Sequence, residues 1–257
     1  MKHNLSLVSL FLHISIVFKG EIFVNGKHQK VLLIGLDGFR WDFLSNNKEL
    51  FPNINSLTSN GVSVTKVENV FPTNTLPNYY SIVTGLYAEN HGIIDNQMID
   101  QRTGDKFSME NSDSKWWSEA EPIWITNQKQ GHKSGVCYWP GFNVKIQGML
   151  PSFYVSIENN KYGNPLTELG TKPMMPSNEK IDTALHWLQQ PGVTLAAVYF
   201  QEPDHTNHGS GHGPGSQNKV QSTAKNLDDA FGHLKQQLAT LNLNEQVNVI
   251  VVGKLYC

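Results

Sequence analysis

The chain has 257 residues, with 20 Lys and Arg against 22 Asp and Glu for a formal net charge of -2, and only 16% of its residues are charged. That length holds one large domain or two small ones with ample core. Its 6 Trp, 12 Phe and 8 Tyr exclude a disordered tail, its lack of basic excess excludes binding a nucleic-acid duplex by phosphate neutralisation, and its 2 Cys exclude a disulfide-stapled miniprotein.

Lys2 and His3 form a short cationic start, followed by an apolar run from Leu5 to Phe18 that ends at Lys19-Gly20-Glu21. The order charge, apolar, polar predicts a signal peptide over residues 1–20, the run being short for a membrane span. The competing reading is a buried N-terminal strand or helix. No other apolar stretch reaches membrane-spanning length, so the mature chain is expected to be soluble and secreted. The sole N-x-[ST] sequon, Asn4-Leu5-Ser6, falls inside the signal segment.

Val31 to Leu36 is a continuous apolar run ending at Asp37-Gly38, the pattern of a strand buried on both faces. Pro52 to Asn60 predicts a short helix with Gly61 past its end, and Pro77 to Thr84 another closed by Gly85. Ile181, Ala184, Leu185 and Leu188 have helical spacing, and Val193 to Phe200 reads as a second buried strand. Val220, Ala224, Leu227, Phe231, Leu234, Leu238 and Leu241 recur every three or four residues, predicting a long amphipathic helix before a third strand at Val247 to Val252. Strands alternating with helices predict an α/β fold with a mainly parallel central sheet flanked by helices, and ligands bind beyond the carboxyl ends of such strands.

Three features sit at those ends. Asp37 is a carboxylate at a buried strand tip, a costly placement unless paired or bound to a metal. Asp204 and His208 follow the second strand and offer an oxygen and an imidazole nitrogen, donors that suit zinc; a solvated His-rich loop is the alternative. Thr75 lies two residues before Pro77, where a hydroxyl meets unpaired helix N–H groups. That placement makes either an anion site with a nucleophile or a simple N-cap.

Val31-Leu-Leu-Ile-Gly-Leu-Asp-Gly-Phe-Arg40, Phe71-Pro-Thr-Asn-Thr-Leu-Pro-Asn78, Ile82-Val-Thr-Gly-Leu-Tyr87, His91-Gly-Ile-Ile-Asp-Asn96, Glu121-Pro-Ile-Trp-Ile-Thr-Asn127, Trp139-Pro-Gly141 and Glu202-Pro-Asp204 occur in this order. Together, over about Val31 to Val252, they resemble the nucleotide pyrophosphatase/phosphodiesterase family of the alkaline phosphatase superfamily. The resemblance implies an alkaline-phosphatase-like fold and an incomplete phosphodiesterase catalytic domain over residues 21–257. It implies two zinc ions, Asp37 and Thr75 on one and Asp204 and His208 on the other, with Thr75 the nucleophile. It also implies that Asn96 contacts a phosphate oxygen and that Leu76 stands where relatives carry an aromatic that stacks on a nucleobase.

The chain departs from the family where Asn74, Leu76 and Tyr79 replace the usual Lys, aromatic and His. After Val252 the family continues with Asp-His-Gly, whereas this chain reads Gly253-Lys254-Leu255-Tyr256-Cys257. Each zinc then keeps two of its expected protein ligands, with His205 and His212 as nearby substitutes. The sheet's last strands are expected to be missing, leaving an apolar edge. Gly-Lys is also what an exon end read into an intron encodes, so the gene is expected to yield a longer product, with or without a membrane anchor. Two functions are expected side by side. One is a secreted type I phosphodiesterase acting on nucleotides, dinucleotides or choline phosphodiesters. The other is a truncated, inactive secreted protein that at most binds phosphate-containing ligands weakly.

Overall fold

The computed structural model describes residues 29–59, 61–156, 161–166, 172–210 and 214–254. The proposed signal segment, His212 and Cys257 lie outside the described residues. The strands are β1 Lys30–Asp37, β2 Met98–Ile99, β3 Lys106–Phe107, β4 Lys133–Cys137, β5 Phe153–Tyr154, β6 Val193–Phe200 and β7 Val247–Lys254. The helices are α1 Phe43–Asn46, α2 Pro52–Ser59, α3 Thr75–Thr84, α4 Ala88–His91, α5 Ser114–Trp117, α6 Ile123–Lys129, α7 Ser177–Gln189, α8 Asp204–Ser210 and α9 Pro214–Thr240.

Five strands form one sheet in the order β5-β4-β6-β1-β7, and every pairing in it is parallel. The expected α/β architecture is therefore present. β1 lies centrally because its residues from Leu32 to Asp37 are buried, as the uninterrupted apolar run requires. It pairs Val31 with Leu195 through Leu36 with Phe200 on one side, and Lys30 with Val247 through Asp37 with Lys254 on the other. Parallel order brings the carboxyl ends of β1, β6 and β7 to one edge of the sheet. β7 is the outer strand among the described residues, and Val251 on it is 38% exposed.

Helices cover the sheet through the stripes read in the sequence. Ile181, Ala184, Leu185 and Leu188 of α7 are buried, as are Ala224, Leu227, Phe231, Leu234 and Leu238 of α9. Asp228 of α9 is buried and accepts hydrogen bonds from the backbone N–H groups of Asn53 (3.1 Å) and Ile54 (2.9 Å) and from Asn53 Nδ2 (2.9 Å). It thereby caps α2 from a neighbouring helix, where the positive end of α2 favours a carboxylate. Trp117 and Trp139 are core residues, and Trp116 packs against the core. Cys137 is a buried free thiol whose burial pushes it up to about 12. No helix among the described residues is long and apolar enough to cross a membrane.

Candidate active site

The site gathers where β1, β6 and β7 end. Asp37, the last residue of β1, is 2% exposed. Its Oδ2 accepts hydrogen bonds from Tyr199 OH at 2.6 Å and Thr75 Oγ1 at 3.3 Å. Lys254 Nζ lies 3.6 Å from Asp37 Oδ1 and 3.3 Å from Thr75 Oγ1. Burial, reinforced by the charge of Asp204, pushes Asp37 up to about 6; Lys254, Tyr199 and Thr75 pull the other way.

Thr75 is buried and is the first residue of α3, with Asn74 at the N-cap. The sequence pointed to a helix from Pro77, and to an N-cap as one role for Thr75. The helix begins two residues earlier because Pro77 still lies in the first turn, whose N–H groups have no intrahelical acceptor. The N-cap side chain does not cap: Asn74 Nδ2 donates to Asp95 Oδ1. Asn78 organises the approach to the helix. Its Oδ1 accepts from the Val70 N–H (2.9 Å), and its Nδ2 donates to the carbonyls of Pro72 (3.0 Å) and Asn74 (2.9 Å). Gly85 ends α3 in the left-handed conformation, its N–H donating to the Ser81 carbonyl at 2.8 Å.

Asn96 reaches the same helix start, its Oδ1 accepting from the Leu76 N–H at 2.9 Å. Asp95 Oδ1 accepts from the Asn96 N–H (2.6 Å). His91 anchors this segment from below. Its ring pairs with Ser81 Oγ (2.9 Å) and the Pro77 carbonyl (3.2 Å), while Nδ1 accepts from the Ile93 N–H (3.2 Å). Leu76, the second residue of α3, is 0% exposed and belongs to the hydrophobic core.

Asp204 and His208 stand on α8 rather than on a loop. One helical turn brings them to the same face, with His208 Nε2 3.3 Å from Asp204 Oδ2. Asp204 is held against β1 through Gly38, which has φ +73°; a Cβ there would lie 2.6 Å from the Asp204 backbone N and Cα. His208 is largely exposed, at 68%, and His205 is exposed as well.

The structure thus brings Asp37 and Thr75 together, and Asp204 beside them with His208. Tyr199 and Lys254 join the cluster without having been singled out as site residues. A charged Lys at the end of a buried strand was the available signal for Lys254. Tyr199 is the penultimate residue of an apolar run, with no signal of its own. Tyr79 OH is buried with no hydrogen-bond partner among the described residues, its ring meeting Tyr199 edge-on at 5.0 Å.

Residues 31–255 match the family model described as type I phosphodiesterase / nucleotide pyrophosphatase. The chain is 39% identical over 239 residues to a bis(5'-adenosyl)-triphosphatase of Xenopus laevis, covering 92% of this chain and 49% of that protein. It is 37% identical over 229 residues to human ectonucleotide pyrophosphatase/phosphodiesterase family member 5, covering 88% and 44%. Among solved structures it resembles an inactive form of murine ectonucleotide pyrophosphatase/phosphodiesterase 5 in complex with AMP. The TM-score is 0.75 and the identity 38%, over 88% of this chain and 56% of that one. The chain spans about half the length of these curated relatives.

Proposed function

The chain belongs to the type I phosphodiesterase / nucleotide pyrophosphatase family, and on that premise we propose that it hydrolyses phosphodiester or pyrophosphate bonds of small extracellular nucleotides with Thr75 as nucleophile. The observation that carries this reading is the placement of the Thr75 hydroxyl. It is the first residue of α3, is buried, and lies 3.3 Å from both Asp37 Oδ2 and Lys254 Nζ. A helix start presents N–H groups and partial positive charge to an anion, so the phosphoryl oxygens lie over the first turn of α3. Thr75 Oγ1 attacks phosphorus and the bond to the leaving oxygen breaks. The hydroxyl proton passes to Asp37 and on to the leaving group. Water then cleaves the threonyl–phosphorus bond and restores the hydroxyl. The AMP complex of the murine relative supports a nucleotide as the ligand class.

The family resemblance implies two zinc ions, and at the Thr75 position the described residues do not fit one. Asp37 and Thr75 lie together, but the Lys254 ammonium already sits against both oxygens. Asp204 and His208 stand together on α8 as an oxygen and an imidazole nitrogen that would serve a metal ion at the second position. No group of three or more His, Cys, Asp or Glu that could hold a metal stands among the described residues. The steps above are written through the protein's own groups.

A second reading is that the chain binds phosphate-bearing ligands without turnover, which Lys254 favours by holding the Thr75 hydroxyl. Hydrolysis of a p-nitrophenyl nucleoside monophosphate, compared between wild type and Thr75→Ala, separates the two. Turnover lost in Thr75→Ala supports the nucleophile, equal rates remove it, and ligand binding without turnover in wild type selects the second reading. We place the protein outside the cell, because the apolar run at residues 5–18 follows a cationic start and several relatives are named ectonucleotide enzymes. Recovery from culture medium of a chain lacking residues 1–20 tests this placement.

A further inference from the structure

We infer that Lys254 is the built-in cation of the Thr75 site: its ammonium holds the position between Asp37 and Thr75 that a zinc ion would take, and the two cations exclude each other.

The lysine is placed by the backbone. It lies opposite Asp37 in the β1–β7 register, and its side chain is 1% exposed. An ammonium so buried is destabilising unless a counter-charge and hydrogen bonds meet it. Asp37 supplies the charge at 3.6 Å, and Thr75 Oγ1 lies at hydrogen-bonding distance, 3.3 Å. The other carboxylate oxygen of Asp37 is held by Tyr199 at 2.6 Å, which fixes the face that Asp37 turns to the lysine. The two oxygens a metal would need are therefore both turned toward an existing positive charge. A lysine ammonium carries three donors and no acceptor. It neutralises charge beside the nucleophile but can neither coordinate it nor admit a second cation at the same oxygens. On the reading that Thr75 marks a phosphate site, the lysine supplies the positive charge for that anion, and binding needs no divalent ion.

Two measurements on the full chain test this, neither of which involves hydrolysis. The first is zinc content by elemental analysis after dialysis against zinc, for wild type, Asp37→Asn and Lys254→Asp. Equal zinc in wild type and Asp37→Asn is expected, with about one additional zinc per chain in Lys254→Asp. Zinc in wild type that disappears in Asp37→Asn overturns the inference, as does a folded Lys254→Asp chain that gains none. The second needs no variant: titration of wild type with inorganic phosphate in EDTA and in zinc. Affinities within about twofold of each other are expected, since no metal bridges the anion. Phosphate binding that requires zinc overturns the inference. The zinc arm contains no phosphate and so judges the lysine alone, whereas the Thr75→Ala assay judges the phosphodiesterase reading.

Discussion

Asp37 and Lys254 face each other across the β1–β7 register and form an ion pair of 3.6 Å whose side chains are 2% and 1% exposed. Each compensates the burial of the other, so removing one strands a charge. Lys254→Met is expected to lower the unfolding free energy by about 3–5 kcal/mol. Adding Asp37→Asn to the same chain should recover most of that loss. Urea unfolding of the two single variants and the double variant measures the coupling, and additive losses would show that the pair does not interact.

Gly38 combines a left-handed φ of +73° with direct backbone contact to Asp204. Gly38→Ala is expected to cost about 2 kcal/mol or more, through the conformation and the displaced start of α8. On the proposed phosphodiesterase reading it should also reduce turnover, since Asp204 moves relative to Asp37. Thermal unfolding and the p-nitrophenyl assay check both effects. An unchanged melting temperature would mean that α8 is not held against β1.

Asp228 joins the start of α2 to α9 through hydrogen bonds from both backbone and side chain. Asp228→Ala leaves the backbone N–H groups of Asn53 and Ile54 without their acceptor and is expected to cost about 2–3 kcal/mol. Asp228→Asn retains one acceptor oxygen and should lose roughly half as much. Urea denaturation of both variants measures the order, which a purely charge-based role would reverse in favour of equal losses.

Lys180 of α7 is fully buried. Its Nζ donates to the Tyr199 carbonyl at 3.1 Å and to Gln201 Oε1 at 2.7 Å, and burial lowers it to about 8. Between about pH 8 and its unfolded value near 10.5, the unfolded chain holds a proton that the folded chain has released. This residue therefore opposes folding in full below pH 8, and its penalty fades as pH rises through that window. The stability of wild type relative to Lys180→Met is expected to rise by about 2 kcal/mol between pH 7 and 9.5. Chemical denaturation at the two pH values checks the sign, and a fall would place the proton on the other side of the balance.

The buried parallel strands were legible because they are written as unbroken apolar runs. Val193 to Phe200 coincides with β6, while β1 exceeds its apolar run by one residue at each end, Lys30 and Asp37, and β7 by two at its carboxyl end, Gly253 and Lys254. β4 was not legible. Its sequence, Lys133-Ser-Gly-Val-Cys137, has too few apolar residues to signal a buried strand. Gly135 lies there because the Trp187 ring presses on the backbone, and a Cβ would come within 2.4 Å of it. The site divides in the same way. Asp37, Thr75 and Asp204 stand at element ends that a single-strand reading can find. Tyr199 and Lys254 reach Asp37 only through strand register, across 162 and 217 positions of chain, and no local pattern records such a pairing.

Asn78 gives the Thr75 hydroxyl a further property. By holding the backbone at Val70, Pro72 and Asn74, it locks the segment that delivers Thr75 to the helix. The entropy of aiming that hydroxyl is lost once, when the chain folds. A ligand arriving at the site then meets a hydroxyl already in position, and its binding energy is not spent on ordering that segment.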